Sequence, residues 1–176
     1  MIPLPILAIG GAALAAWWWK RTADDNSAKE DQAEQISSTC DPQLAPALGW
    51  PYWYGEGSPS TPWEAGPQGV DCSGFAQMAL VRLNLISSSA ADRSALGLAN
   101  GSDPIEVGLQ QVGDLAYYPG HVMVVCAPPG ADGHSPVIGS SGGYTTTKGD
   151  DPNARVKLFG SARYRDDFVT YCRLRA

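Results

Sequence analysis

Cys72 and His121 stand 49 positions apart and are of the types that nucleophilic catalysis needs, a thiol and an imidazole. Cys72 follows a Pro- and Gly-rich stretch. It opens the run CSGFAQMALVRLNLI, in which Phe75, Met78, Ala79, Leu83 and Ile86 recur at helical spacing. A cysteine at a helix start lies among unpaired backbone N–H groups and at the positive end of the helix dipole. Both stabilise the thiolate, the attacking form. By position alone, Cys72 still reads more readily as a buried structural cysteine. His121 shifts that balance, because imidazole titrates near neutrality and can take the thiol proton. It opens the apolar run HVMVVCA directly after Pro119-Gly120, so it can face the N-terminus of a helix packed across the sheet. Its plainer alternative is a turn histidine with a satisfied hydrogen bond. Asp71 is an N-cap candidate whose charge opposes thiolate formation, so its place beside the nucleophile needs a reason other than activation.

The other cysteines, Cys40, Cys126 and Cys172, form no C-x-x-C pair, and only two histidines accompany them. Neither a zinc site nor a disulfide scaffold follows from that pattern, and no metal or cofactor is expected. Cys126 lies inside an apolar run and reads as a small buried hydrophobe. Cys40 and Cys172 flank the domain at either end; a bridge between them is possible, and the sequence does not decide it.

The elements that must position these residues follow from periodicity and turn residues. A helix is expected over 72–86, ended by Ser87 to Ser89, with a short second helix through about Ala99. Strands are expected over 115–118, 121–127, 137–141 and 168–174, with the second and central one apolar on both faces. Residues 41–70, 127–135 and 142–153 read as loops. One helix followed by hairpin-joined strands implies an α+β domain with an antiparallel sheet. Residues 1–21 read as a hydrophobic transmembrane or anchor helix. Residues 2–19 carry no charge and are just long enough to span a bilayer, and Trp17, Trp18 and Trp19 precede Lys20 and Arg21 as an interface anchor. A helix buried in a protein assembly is the alternative, and a cleavable signal peptide fits less well. Residues 22–39 form a polar linker, and 40–176 the domain.

Charge is unevenly spread. Residues 41–154 hold 11 acids against 3 bases, and residues 155–176 hold 6 bases against 2 acids. An acidic domain body argues against nucleic acid as a partner. The basic end reads as the solvated edge of a last strand, or as a contact for an anionic polymer or surface.

The segment LGWPYWYGEG, followed by GVDCSGF, resembles the opening of NlpC/P60 domains, "G-x-P-Y-x-W-G-G … D-C-S-G". The matching residues are Gly49, Pro51, Tyr52 and Gly55, then Asp71, Cys72, Ser73, Gly74 and Phe75. VGDLAYYPGHVMVV resembles that family's "G-D-L … H-V-G-I-Y" through Gly113, Asp114, Leu115, His121 and Val122. The resemblance covers roughly residues 44–141. It implies a papain-like fold in which the helix bearing the nucleophile packs on the antiparallel sheet. It also implies hydrolysis of peptidoglycan stem peptides, often between γ-D-Glu and a diamino acid. Cys72 would attack the carbonyl, His121 would carry the proton, and the Cys72 N–H would serve an oxyanion hole. Tyr52, Asp71 and Ser73 would meet the substrate, which gives the acid beside the nucleophile its purpose. A packed aromatic and a helix cap are the structural readings of Tyr52 and Asp71. The family's third polar residue, often His in "I-H-A-S", has Gly139 at its place within VIGSSGG. His134, ahead of the strand, and the neighbouring Ser140 are the candidates, with a Cys–His dyad as the alternative.

The expected function is therefore wall-peptide hydrolysis by a cysteine peptidase, bound to membrane or to a protein assembly through residues 2–19. Two other readings stay open: a bacteriophage virion protein that digests wall during entry, and a catalytically silent wall-binding or assembly module. Lys20 and Arg21 favour a cytoplasmic domain by the positive-inside rule. The substrate lies outside, and function places the domain on the cell-wall side, tethered or delivered by a particle.

Overall fold

The apolar run that begins at His121 has no polar face, and it forms a central strand of the sheet. The computed structural model describes residues 40–65 and 68–175. The anchor helix and linker expected over 1–39 lie outside them. Among the described residues, no helix is long and apolar enough to cross a membrane.

Among the described residues, two α-helices, α1 (Cys72–Arg82) and α2 (Ala95–Asn100), precede six strands. The strands are β1 (Ser102–Ile105), β2 (Leu115–Tyr118), β3 (His121–Val125), β4 (Val137–Ser141), β5 (Arg155–Phe159) and β6 (Thr170–Leu174). They form one sheet in the order β1-β6-β2-β3-β4-β5. Every pairing is antiparallel. Helix α1 packs on β3 and β4. Its Phe75, Ala76, Ala79 and Leu80 meet Leu115, Val122, Val124, Ile138 and Val156. Each large side chain buried there contributes about 1.5–3 kcal/mol. The opposite face holds Tyr118, Met123, Val125, Val137 and Tyr171 against Ala162. This is the α+β architecture expected, and all five residues of β3 are buried.

Four details differ from expectation. Helix α1 stops at Arg82, although apolar spacing continues to Ile86, because Asn84 takes a left-handed φ of 57°. Asn84 N–H then donates to Val81 O at 2.9 Å and Leu85 N–H to Leu80 O at 2.9 Å, a Schellman closure. The second helix starts at Ala95, capped by Ser94. The segment before it is held open by the buried Gln77 amide, which donates to Asp92 Oδ1 and Arg93 O and accepts from Arg93 N–H. Two edge strands escaped the sequence reading. Strand β1 contains Pro104, which only an edge tolerates. In β5 only Val156 is buried, and charged Arg155 and Lys157 flank it. Finally, the last strand begins at Thr170 rather than Phe168.

The possible Cys40–Cys172 bridge is not formed; all four cysteines are free and buried. Cys40 instead sits beside Cys126, and the adjacent Asp41 N–H donates to Cys126 O at 2.7 Å. The basic end of the chain is largely spoken for within the domain. Arg165 pairs with Asp167, Arg173 with Asp114 and Arg175 with Asp103, while Arg163 donates to His134.

Candidate active site

Asp71 caps α1 and ties it to the preceding loop. Its Oδ1 accepts from Gly74 N–H at 2.7 Å and from the Ser73 hydroxyl at 3.0 Å, and its Oδ2 accepts from Gly55 N–H at 3.0 Å. Asp71 N–H donates back to Glu56 O at 3.0 Å. Gly74 makes this approach possible: a Cβ there would lie 2.3 Å from Glu56 O. The D-C-S-G segment is therefore a built helix start, in which Asp71 and Ser73 spend most of their hydrogen-bonding capacity on the cap.

Cys72 sits in that helix start with only 9% of its surface exposed. Burial, and then the Asp71 charge, push its thiol up to about 11. The backbone N–H groups of Val122, Ser73 and Cys72 itself act in the opposite direction. The helix-start donors expected to favour a thiolate are thus present but are outweighed by desolvation. The resting group is a neutral thiol. The Val122 contact places the sulphur beside the residue that follows His121. Tyr52 is buried next to it. Burial first, then the charges of Cys72 and Asp71, raise its phenol well above the usual tyrosine range.

His121 begins β3 opposite Tyr118, the last residue of β2, across the Pro119-Gly120 turn. Burial, with a further contribution from the Arg165 charge, lowers its imidazole to about 4; Asp167 opposes this. At neutral pH the ring is an uncharged base. Its Nε2 lies 3.1 Å from the Tyr164 hydroxyl oxygen. Tyr164 comes from the 3-10 turn Ala162–Tyr164 and stacks on Phe159, with centroids 3.7 Å apart and planes at 13°. The Arg165 guanidinium carbon lies 5.2 Å from the Tyr118 ring centroid, and its Nε donates to Asp167 Oδ1 at 2.8 Å.

The three places considered for a third polar residue are all accounted for. At Gly139 a Cβ would lie 2.6 Å from Met123 Sδ, so methionine sulphur fills the space beside that position. The Ser140 hydroxyl is buried on the other face and donates to Val70 O at 2.7 Å, binding β4 to the approach to Cys72. The His134 ring has its own partners: Nδ1 lies 3.2 Å from the Tyr171 hydroxyl, and Nε2 accepts from Arg163 Nε at 3.3 Å. The side chain that hydrogen-bonds His121 is Tyr164, which the sequence reading missed. It lies in SARYR, where neither helical nor strand periodicity draws attention to it. Asp114 of the G-D-L segment is a fold anchor. It receives Arg173 Nε at 2.7 Å and Nη2 at 2.8 Å. Among the described residues, no three His, Cys, Asp or Glu side chains converge on a possible metal position.

No family model matches the chain, and no curated protein matches it. Among solved structures it is similar to the peptidoglycan hydrolase RipB from Mycobacterium tuberculosis, at 20% identity and a TM-score of 0.51. That match covers 83% of this chain and 68% of the RipB chain. It is also similar to a Staphylococcus aureus protein described as similar to a lipoprotein of the NLP/P60 family, at 18% identity and a TM-score of 0.48. Here the match covers 80% of this chain and 41% of the other. The chain thus shares an α+β fold with RipB, the fold implied by the resemblance of its D-C-S-G and G-D-L segments to NlpC/P60 domains.

Proposed function

We propose that the domain is a cysteine peptidase of peptidoglycan stem peptides, with Cys72 as nucleophile and His121 as base. The observation that carries this reading is that a desolvated neutral thiol at a helix start lies against the backbone N–H of Val122, the residue that follows the desolvated neutral imidazole of His121. His121 takes the thiol proton as Cys72 Sγ bonds to the scissile carbonyl carbon. The oxyanion so formed is held by the Cys72 N–H. As the C–N bond breaks, the leaving amine receives that proton from His121. Water, deprotonated by the same imidazole, then hydrolyses the thioester and regenerates the thiol. The γ-D-Glu to diamino acid bond is the proposed scissile bond, by resemblance to NlpC/P60 domains and in keeping with RipB being a peptidoglycan hydrolase. Tyr52, beside both Cys72 and Asp71, is proposed to contact the stem peptide. Asp71 and Ser73 keep the helix start and the Gly55 loop in place for it. Because the substrate lies in the wall, the domain acts on the wall side, attached through residues 2–19 to a membrane or to a particle such as a virion.

Iodoacetamide should modify Cys72 faster than Cys126 at neutral pH, and that modification should end muropeptide hydrolysis. EDTA should leave the rate unchanged. Equal labelling of the two cysteines, or loss of activity with EDTA that zinc restores, would contradict the mechanism. A second reading, a catalytically silent wall-binding module, draws on the filled space at Gly139. It requires muropeptides to bind without turning over.

A further inference from the structure

We propose that Tyr164 is the positioning residue of the Cys72–His121 pair, holding the imidazole by its Nε2 in the role that a third polar residue on β4 would otherwise fill. This rests on the peptidase reading of the site. The 3.1 Å contact is the hydrogen bond the His121 ring makes to a side chain among the described residues. Tyr164 is itself fixed: its ring is stacked on Phe159 and edge-on to Tyr118 at 5.6 Å. The route through β4 is closed, because Met123 Sδ occupies the space at Gly139. His134 is engaged by Tyr171 and Arg163.

The geometry also selects a tautomer. With Nε2 turned to Tyr164, the thiol proton can go only to Nδ1, so the resting base must carry its own proton on Nε2 and donate it to the Tyr164 oxygen. Tyr118, Arg165 and Asp167 are the other ionisable groups facing His121.

The test uses the full chain. In Tyr164→Phe the stack on Phe159 remains and only the hydroxyl is lost. Muropeptide kcat should fall about tenfold, the effect of one hydrogen bond on a barrier, with KM unchanged. Alkylation of Cys72 by iodoacetamide at neutral pH, which needs no wall substrate, should slow by a similar factor, and His134→Ala should change either rate less than twofold. Wild-type labelling in Tyr164→Phe, or a loss in His134→Ala as large as that of removing His121, would overturn the assignment. The imidazole nitrogen shifts of the unmodified protein decide the matter even if the variant does not fold: a proton on Nε2 of His121 supports the assignment, and one on Nδ1 overturns it. A wild-type chain that fails to cleave muropeptides would defeat the proposed function, while the labelling and the tautomer still decide Tyr164.

Discussion

Desolvation rather than the helix dipole sets the chemistry of individual side chains here. Cys72 is raised to about 11 and His121 lowered to about 4, so each rests uncharged across the neutral range. The acid limb of the hydrolysis rate should therefore lie near pH 4, where His121 protonates and ceases to be a base. A limb near the ordinary imidazole value of about 6.5 would show that burial does not depress it. The same shift bears on stability. The folded state disfavours the imidazolium, so the unfolded chain binds more protons between about 4 and 6.5. Stability is then full above that window and falls as pH drops through it. Thermal melts of wild type and His121→Gln should diverge over that interval, with the wild type losing more. Replacing His121 by Ala should lower the hydrolysis rate on the order of 10²–10⁴-fold. The residues that D-C-S-G and H-V marked could be read because the proposed chemistry restricts their types. Tyr164 could not, because a tyrosine outside any periodic element carries no such restriction, and only the folded register of β5 and β6 brings it to the imidazole.

Elements follow the same division. Helix α1 and the β2–β3 hairpin were legible because a 3.6-residue apolar stripe and an apolar run behind Pro119-Gly120 signal them directly. Edge strands β1 and β5 bury one side chain each and pair through backbone atoms, which leave no hydrophobic pattern to find. The end of α1 depended on one backbone torsion, at Asn84. Asn84→Gly should be tolerated, while a β-branched Asn84→Val should destabilise the domain by about 1–2 kcal/mol in urea unfolding, because its side chain resists φ of 57°. An unchanged midpoint for the valine variant would refute the Schellman account. At the other end of the helix, Gly74→Ala should move the Glu56 segment off α1 and depress activity, because the added methyl meets backbone rather than a movable side chain. Full activity in that variant would mean that the cap does not position the site.

At the scale of the whole molecule, the sheet separates two packed faces, and the site lies where the start of β3 meets the start of α1. The basic end of the chain, seen in sequence as a possible surface for anionic polymers, is mostly absorbed in pairs. Of these, Arg173–Asp114 matters most, because Asp114 is buried; exposed pairs such as Arg175–Asp103 contribute about 0–1 kcal/mol. Every catalytic candidate falls in the described domain, so a chain lacking residues 1–39 should stay folded and retain its peptidase rate. Unfolding on truncation would contradict that independence. The central claim, that Cys72 performs peptide-bond hydrolysis on wall peptides, meets its most direct test in the turnover of purified muropeptides by the full chain and by Cys72→Ala. The account predicts new amine termini released by the wild type and none by the alanine variant, with both melting at the same temperature. Equal release by both proteins would contradict it.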